Sequence, residues 1–296
     1  MTLLVVGGCS YNSMLYLDEF PREPGTYVAT DFHETVGSTG AGKSLNLGRL
    51  GMDVTFHATI GRDRYGDVIR DTFADEPVTF VHDVDPNGTE RHVNLMNADG
   101  DRISVFAVEP TPGLDVDDGR LEGLVETADA LVVNPGDYTR PLLAAADRYD
   151  VPVWCDVHAY DGSDPHFEPF VDAADYLFLS DEGMDDPREF MRERVDAGTD
   201  VVVCTRGSDG SMALTSDGSF RELPAESFEM VDTNGAGDAY VAGFLYGHSR
   251  GEDVETCMQF GTLVGGLSVS SWDLAHADLS ADWLHAAYRR RYGDTG

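Results

Sequence analysis

The segment VDTNGAGDAYVAGFLYG, Val231 to Gly247, combines small residues with a carboxylate at the start of a predicted helix. Gly235, Ala236 and Gly237 have almost no side chain, so their turn can present free backbone N–H groups where the helical period of AYVAGFLYG begins. A helix N-terminus attracts anions, and Asp238 follows at once, where its carboxylate can accept a proton from an attacking hydroxyl. The combination indicates phosphoryl transfer. The simpler interpretation is a tight turn whose aspartate caps the helix.

A second segment, GSTGAGKS from Gly37 to Ser44, satisfies the P-loop pattern G-x-x-x-x-G-K-[ST], in which backbone and lysine hold the phosphates of a nucleotide. Lys43 is also the only lysine in the chain. However, a P-loop follows a buried parallel strand, whereas the preceding ATDFHETV alternates in polarity as an exposed strand does. A P-loop NTPase also needs an acidic residue at the end of a second apolar strand, and Asp156 in PVWCD is a candidate for it.

The composition indicates an acidic globular protein. The chain has 54 acidic against 20 basic side chains, a formal net charge of −34, and the acids are dispersed among aromatic and β-branched periodic segments. Such self-repulsion favours concentrated salt, so we expect a salt-rich cytoplasm, as in a halophilic archaeon. Nucleic acid is a poor partner for this surface, because phosphate binding needs a basic face.

Other functional classes are disfavoured as well. The opening TLLVVGGC is too short for a membrane span and lacks the basic flank of a signal peptide, so a cytoplasmic location is expected. The histidines show no H-x-x-H or H-E-x-x-H spacing, which argues against a metalloenzyme. The four cysteines, each within an apolar run, are expected to be free buried thiols: Cys9, Cys155, Cys204 and Cys257.

The elements that must position these residues follow from the hydrophobic pattern. Short apolar runs alternate with helical segments from ADALVVNPGDY to VVVCTRGSDG, which is typical of βαβ units and a parallel sheet. The strands are expected to end near Asn134, Asp156, Ser180 and Thr205, and ligands bind beyond such ends. We predict one α/β domain over residues 1–296. A small β-sheet should come from about residues 11–36 and 88–108, where HVNLMN and RISVFAV form a hairpin with Asp99 and Gly100 at its bend.

Several segments in order along the chain resemble the ribokinase-like (PfkB) family of carbohydrate and nucleoside kinases. DTNGAGDA resembles the family's second signature, and GMDVTFHATIGRDRYGDVIRDTF its G-x-D-x-x-G segment. VPVWCDV and ADYLFLSDE resemble its central strands, and VVVCTRGSDGSMAL its T-x-G-x-x-G nucleotide strand. The resemblance implies a three-layer α/β/α fold with a mainly parallel sheet and a β-sheet lid, and an enzyme that uses ATP, Mg²⁺ and in some members a monovalent cation.

The resemblance also assigns roles on the nucleotide side. Asp238 would be the general base, and the backbone N–H groups of Gly235 to Gly237 would form the anion hole for the transferred γ-phosphoryl group. Magnesium would bridge the ATP phosphates mainly through water. The family's N-x-x-E motif falls on SDEG, where Asp181 and Glu182 could contribute to the metal site or simply cap a helix. The remaining nucleotide-binding residues would be Thr205, Gly207, Gly210, Asp232, Thr233 and Asn234.

On the acceptor side, GSTGAGKSLNLGRLG resembles the family's first signature, so the glycines of the apparent P-loop would approach a sugar instead. The diglycine falls on Gly37 and Ser38, and the acceptor-binding asparagine falls on Gly42. Lys43 could then pair with a phosphate or carboxylate of the acceptor, or be a solvated lysine. Three further candidates for acceptor hydroxyls are Asn12, which stands where many members have aspartate, Asp63, whose alternative is a helix cap, and Asn94.

Three functions remain open from the sequence. The first is an ATP-dependent kinase acting on a hydroxyl of a sugar, sugar acid or nucleoside. The second is a ribokinase-like ligand-binding regulator that has lost turnover, and the third is a P-loop NTPase that uses Gly37 to Ser44. Family members often pair through their lids, so a homodimer through the lid is a further expectation.

Overall fold

The computed structural model describes residues 1–97, 101–184 and 186–293. The strands in this part of the chain are β1 (Thr2–Val6), β2 (Ser10–Tyr16), β3 (Asp31–Gly37), β4 (Asp53–Ile60), β5 (Thr79–Val84), β6 (Glu90–Met96), β7 (Arg102–Val108), β8 (Ala130–Val133), β9 (Val153–Asp156), β10 (Tyr176–Ser180), β11 (Val201–Thr205), β12 (Ser211–Thr215) and β13 (Phe220–Leu223). The α-helices are α1 (Thr39–Arg49), α2 (Arg64–Ala74), α3 (Asp118–Thr127), α4 (Pro141–Tyr149), α5 (Glu168–Ala173), α6 (Pro187–Ala197), α7 (Ala236–Ser249), α8 (Val254–Ser268) and α9 (Ala281–Tyr292).

A nine-stranded sheet forms the centre of the molecule, in the order β13-β12-β11-β10-β9-β8-β1-β4-β5. The pairs from β11 to β5 are parallel, and β12 and β13 are added antiparallel at one end. Because the parallel strands share one direction, their carboxyl ends meet along one edge of the sheet, where ligands bind in such folds. The predicted mainly parallel sheet of an α/β fold is confirmed.

Helices cover both faces of this sheet, and alternation along the strands divides the core between them. In β1, Leu3 and Val5 belong to one buried cluster, with α1, α7 and α8. Leu4 and Val6 belong to the cluster on the other face, with α3 to α6. This is the expected consequence of the two-residue period of a strand buried on both sides. No helix of the described ranges is long and apolar enough to span a bilayer.

A second sheet of four strands, β3-β2-β6-β7, forms the lid. Its strands come from the two segments predicted for it. β2 and β6 pair parallel, whereas β3 and β7 pair antiparallel to their neighbours. The predicted bend residues Asp99 and Gly100 lie outside the described residues. β2 begins four residues after the end of β1, so the lid is connected directly to the carboxyl edge of the central sheet.

Candidate active site

Asp238 lies in the first turn of α7, where the N–H of Ala236 donates to the carbonyl of Thr233 at 3.3 Å. Gly235 is the N-cap residue with φ +83°, a left-handed conformation that favours glycine, and an added Cβ there would lie 2.9 Å from Leu274 Cδ2. A Cβ at Gly237 would meet nothing within 4 Å. Within the described chain no side chain caps this helix. The first turn of α7 can therefore offer backbone N–H groups to an anion.

The ammonium of Lys43 lies between two carboxylates. Its Nζ donates to Asp238 Oδ1 in a very short hydrogen bond and to Asp156 Oδ2 at 2.9 Å. The side chain of Lys43 is 1% exposed, and those of Asp156 and Asp238 are 8% exposed. The interpretation of Lys43 as a solvated lysine is therefore wrong. Its two recorded hydrogen bonds go to protein carboxylates, which also leaves little support for a contact with an anionic acceptor.

Burial and charge set the protonation states of this group. Burial raises the pKa of Asp238, and the Lys43 ammonium lowers it without cancelling that effect. Burial also acts to raise the pKa of Asp156, but the positive charges of His158 and Lys43 outweigh it and hold this pKa well below its ordinary range. Burial acts to lower the pKa of Lys43, and the two carboxylates outweigh it and raise the pKa. In this group the Lys43 ammonium thus favours the ionised form of both carboxyl groups.

The first turn of α1 packs closely against Asp238. A Cβ added at Gly42 would lie 2.8 Å from Asp238 Oδ2, so a side chain here would displace the carboxylate. Ser38 precedes the helix with φ +74° and ψ +159°, a conformation found almost only in glycine. The strand before this turn, β3, pairs antiparallel in the lid. With Lys43 buried among carboxylates, Gly37 to Ser44 does not have the arrangement of a P-loop.

Two of the predicted acceptor contacts lie on the lid. Asn12 is 3% exposed, accepts a hydrogen bond from Ser10 Oγ at 2.8 Å, and packs against Gly37, where any side chain would collide with it. Asn94 is 1% exposed and contacts Met14 through its Nδ2, while its Oδ1 has no partner among the described residues. The structure brings Asn12 and Gly37 together, as the acceptor-site interpretation requires.

Asp63 caps α2, as the alternative interpretation of this residue predicts. Its carboxylate caps α2 by accepting from the backbone N–H groups of Tyr65 and Gly66, and it also accepts from the N–H and hydroxyl of Thr89. Burial acts to raise its pKa, but these hydrogen bonds outweigh it and lower the pKa. Because both oxygens are engaged, the predicted contact of Asp63 with acceptor hydroxyls is not supported.

The predicted nucleotide residues lie in two loops at the carboxyl edge of the sheet. The Thr205 hydroxyl donates to the Leu179 carbonyl at 3.3 Å, and Gly207 and Gly210 follow with positive φ in the turn to β12. Residues 232–234 lie in the loop that leads to α7. There Asp232 is 4% exposed, and its Oδ1 accepts from the backbone N–H of Asn234 at 2.9 Å.

Asp181 and Glu182 form a single 3-10 turn directly after β10. Carboxylate oxygens are ligands that Mg²⁺ prefers, and this turn follows the strand next to β9, which ends at Asp156. Across the described residues, no set of three or more His, Cys, Asp or Glu side chains is arranged to hold a metal ion. These two residues therefore offer at most a partial coordination shell.

The lid is docked against the loop before α7. The Tyr16 hydroxyl donates to Asp232 Oδ2 at 2.9 Å, and Arg102 donates to Asn234 Oδ1 at 2.6 Å. Thr35 donates to Asp273 at 3.0 Å, and the ring of Tyr16 meets that of Trp272 edge-on with centroids 4.7 Å apart. A cavity of about 260 Å³ lies between Tyr16, Met96 and residues 230–233.

Sequence reasoning missed the functional connection of two residues. The sequence identifies Asp156 only as a strand end and as the acidic residue that a P-loop NTPase would need, and nothing in its neighbourhood indicates a contact with Lys43, 113 residues earlier. Asn134, at the end of β8, is 5% exposed, and neither atom of its side-chain amide has a partner within the described chain. Its position after an apolar run was the one available signal. An unpaired buried amide at this edge is suited to a ligand with hydroxyl groups.

The parallel sheet, its lid and the helix that carries Asp238 in its first turn define the ribokinase-like class of α/β proteins, and the predicted fold is confirmed. The chain belongs to the pfkB family of carbohydrate kinases, whose family model matches residues 2–278. The resemblance seen in its motifs is thereby confirmed.

Relatives with curated functions support this assignment. The chain is 32% identical over 276 residues to an acarbose 7(IV)-phosphotransferase of Actinoplanes sp., covering 89% of this chain and 90% of the relative. It is 28% identical over 289 residues to a nucleoside kinase of Methanothermobacter thermautotrophicus, covering 90% and 89%. The fold of a microbiome-derived acarbose kinase is similar, with a TM-score of 0.87, 24% identity, and 96% and 98% of the two chains covered.

Proposed function

We propose that the protein is an ATP-dependent kinase that phosphorylates a hydroxyl group of a sugar, sugar acid or nucleoside. The observation that carries this proposal is the buried carboxylate of Asp238 in the first turn of α7, facing the glycine-rich turn of α1. The carboxylate is a candidate base, and the turn beside it is a candidate anion site. Phosphoryl transfer requires both in one place.

In the proposed reaction, an Oδ atom of Asp238 takes the proton from the acceptor hydroxyl. The acceptor oxygen then forms a bond to the γ-phosphorus, and the bond from that phosphorus to the bridging oxygen breaks, with its electron pair leaving on ADP. The backbone N–H groups of Gly235, Ala236 and Gly237 would stabilise the charge on the transferred group, with the N–H of Ala236 exchanging its 3.3 Å bond to the Thr233 carbonyl for one to the phosphoryl oxygen. Because the pKa of Asp238 is raised, it lies closer to neutral pH than the pKa of an exposed aspartate does.

The nucleotide would lie over the loops that carry Thr205, Gly207 and Gly210 and over residues 232–234. Magnesium would neutralise the charge of the ATP phosphates, and Asp181 and Glu182 would be the residues that help to hold it. The lid contacts of Tyr16 and Arg102 would exclude water from the transfer site.

The acceptor is best sought among neutral compounds with several hydroxyl groups. Lys43, the residue expected to bind an anionic substituent, is engaged by Asp156 and Asp238. Asn12, Asn94 and Asn134 offer amides, which can both donate to and accept from hydroxyl groups. The names of the relatives add acarbose and nucleosides to the compounds worth testing.

A coupled ADP-release assay in concentrated salt tests the proposal. The panel should contain monosaccharides, sugar acids, phosphosugars, nucleosides and acarbose, with Mg²⁺ and ATP. We expect turnover with at least one neutral polyhydroxy compound, and Asp238→Asn should lower kcat by about 10²- to 10⁴-fold, because general base catalysis contributes that much. The Asp238→Asn protein should still bind ATP in calorimetry.

Saturable binding of a panel compound without any phosphorylation would instead favour a ligand-binding regulator. The departures from the family pattern at Gly42, Ser38 and the SDEG segment are compatible with that function. In that case Asp238→Asn would change no turnover, because there would be none to lose.

We further propose that two copies of the chain pair through their lids. The lid face opposite the active site exposes Phe32 at 56%, Ile103 at 43% and Val105 at 51%, and the pairing register places each beside an apolar neighbour, respectively Leu15, Leu95 and Val93. A contiguous exposed apolar patch is typical of a protein interface.

Light scattering in concentrated salt should give a dimer, and Val105→Glu should give a monomer. A monomeric wild-type protein would refute the pairing.

A further inference from the structure

We propose that Lys43 is a positioning residue that keeps the carboxylate of Asp238 ionised and aimed at the acceptor hydroxyl, with Asp156 as the anchor that holds the ammonium in place. The inference rests on the proposed function, since it concerns the base of that reaction. It gives the only lysine of the chain a role different from substrate contact.

The packing of α1 against α7 makes this arrangement possible. Gly42 has no side chain, and a Cβ there would lie 2.8 Å from Asp238 Oδ2. The carboxylate can therefore lie directly against the first turn of α1, and the next residue, Lys43, reaches it with its ammonium. Glycine and lysine at successive positions thus provide the space and the charge.

Asp156 fixes the ammonium from the opposite side. It ends β9, and its Oδ1 accepts from the backbone N–H of His158 at 3.0 Å while its Oδ2 accepts from Lys43 at 2.9 Å. His158 Nδ1 also lies 3.3 Å from Asp156 Oδ2, and its side chain is 41% exposed. Because Asp156 is hydrogen-bonded to the backbone, it holds the Lys43 ammonium in place. The ammonium in turn sets the direction of the Asp238 carboxylate.

The charge of Lys43 offsets the burial of Asp238. A buried carboxylate without a cation takes up a proton, and a protonated Asp238 cannot act as a base. Three charged groups act on Asp238: Lys43 from α1, Asp156 from β9 and His158 from the loop after β9. Lys43 and His158 favour its ionised form, whereas Asp156 opposes it. Removing Lys43 and removing Asp156 should therefore shift the protonation of Asp238 in opposite directions.

The test is the pH dependence of kcat with the acceptor found in the ADP-release assay. As the pH falls through the pKa of Asp238, the base is protonated and turnover is lost. Lys43→Met should therefore move the acidic limb of the profile to higher pH by about 1–3 pH units, the usual effect of a neighbouring cation. Asp156→Asn should move the limb to lower pH. Lys43→Arg keeps the charge and should leave the limb close to its wild-type position.

Three further variants make the result interpretable. Because Lys43→Met removes the ammonium that pairs with the buried Asp156, the double variant Lys43→Met/Asp156→Asn provides a fold with fewer uncompensated charges. Its acidic limb should still lie above that of the wild type. His158→Asn removes the titration of the imidazole while tolerating its φ of +53°. Arg49→Met breaks the half-buried pair with Glu76 at the other end of α1 and should leave the limb unchanged.

The outcomes separate this inference from the proposed function. If no acceptor is phosphorylated by the wild-type protein, the proposed function fails before Lys43 is tested. If the wild type is active and the folded Lys43→Met and double variants keep the wild-type acidic limb, the inference is wrong and Lys43 has only a structural role. The inference also fails if Lys43→Met and Asp156→Asn shift the limb in the same direction.

Discussion

Ser38 carries backbone strain at the junction between the lid and α1. Its φ of +74° with ψ of +159° belongs to a region that only glycine populates without cost. The first signature of the family has a diglycine here, and the chain has Gly37 followed by Ser38. Ser38 therefore adopts a backbone conformation typical of glycine although it carries a side chain. The carbonyl of this strained residue accepts from the N–H of Gly42, which packs against Asp238.

Ser38→Gly should raise the free energy of unfolding by about 1 kcal/mol. Relief of strain contributes about 1–3 kcal/mol, and the greater entropy of glycine in the unfolded chain offsets about 0.4–1 kcal/mol of it. Urea denaturation at fixed salt measures the difference. Asp150→Gly is the matched control, because Asp150 has φ +57° and ψ +42°, which aspartate tolerates, so its gain should be smaller. A destabilised Ser38→Gly protein would contradict the strain argument.

At the scale of elements, the lid and the loop before α7 form one connected unit. The hydroxyl of Tyr16 on β2 donates to Asp232, which is nearly buried and whose pKa is raised by that burial. Arg102 on β7 donates to Asn234 two residues further along the same loop. Docking of the lid is thus linked to the position of the turn that would hold the transferred phosphoryl group.

Tyr16→Phe should loosen this docking. A hydrogen bond to a charged group contributes about 1.5–3 kcal/mol, so we expect kcat/KM for the acceptor to fall about tenfold or more. ATP hydrolysis in the absence of acceptor should rise, since water would enter the transfer site. Tyr149→Phe, which removes the bond to Glu122 far from the lid, is the control and should leave both rates unchanged. Equal ATPase rates for Tyr16→Phe and the wild type would refute the link.

At the scale of the whole molecule, the net charge of −34 is the dominant feature. Exposed acids are spread along the chain, including the ends of α2, α3 and α4 at Asp75, Glu126 and Asp147. Their mutual repulsion acts against the compact state, and dissolved ions screen it over about 10 Å at 0.1 M and about 3 Å at 1 M salt.

The melting temperature should therefore rise as KCl is increased from about 0.1 to 2 M. Differential scanning calorimetry at neutral pH measures it. A variant with Asp75→Asn, Glu126→Gln and Asp147→Asn has less repulsion to screen, and its melting temperature should depend less on salt. A melting temperature that is independent of KCl, or an equal salt dependence in the variant, would contradict adaptation to a salt-rich cytoplasm.

The sequence by itself determined the local structure and singled out Asp238 as the candidate base. The parallel sheet, the lid segments and the turn before α7 follow from periodicity and small residues, because these patterns describe neighbours along the chain. The motif order determined the family for the same reason. Asp238 and the glycines around it could thus be named before the fold was known.

The tertiary structure alone decided what Lys43 does and which distant partner holds Asp63 in addition to its helix cap. The partners of Lys43 lie 113 and 195 residues away, and no spacing in the sequence encodes such contacts. The same holds for Asp63, whose carboxylate is engaged by Thr89, 26 residues further on. A carboxylate or an ammonium acquires its role from the charges and the burial that the folded chain places around it, and both are properties of the three-dimensional packing.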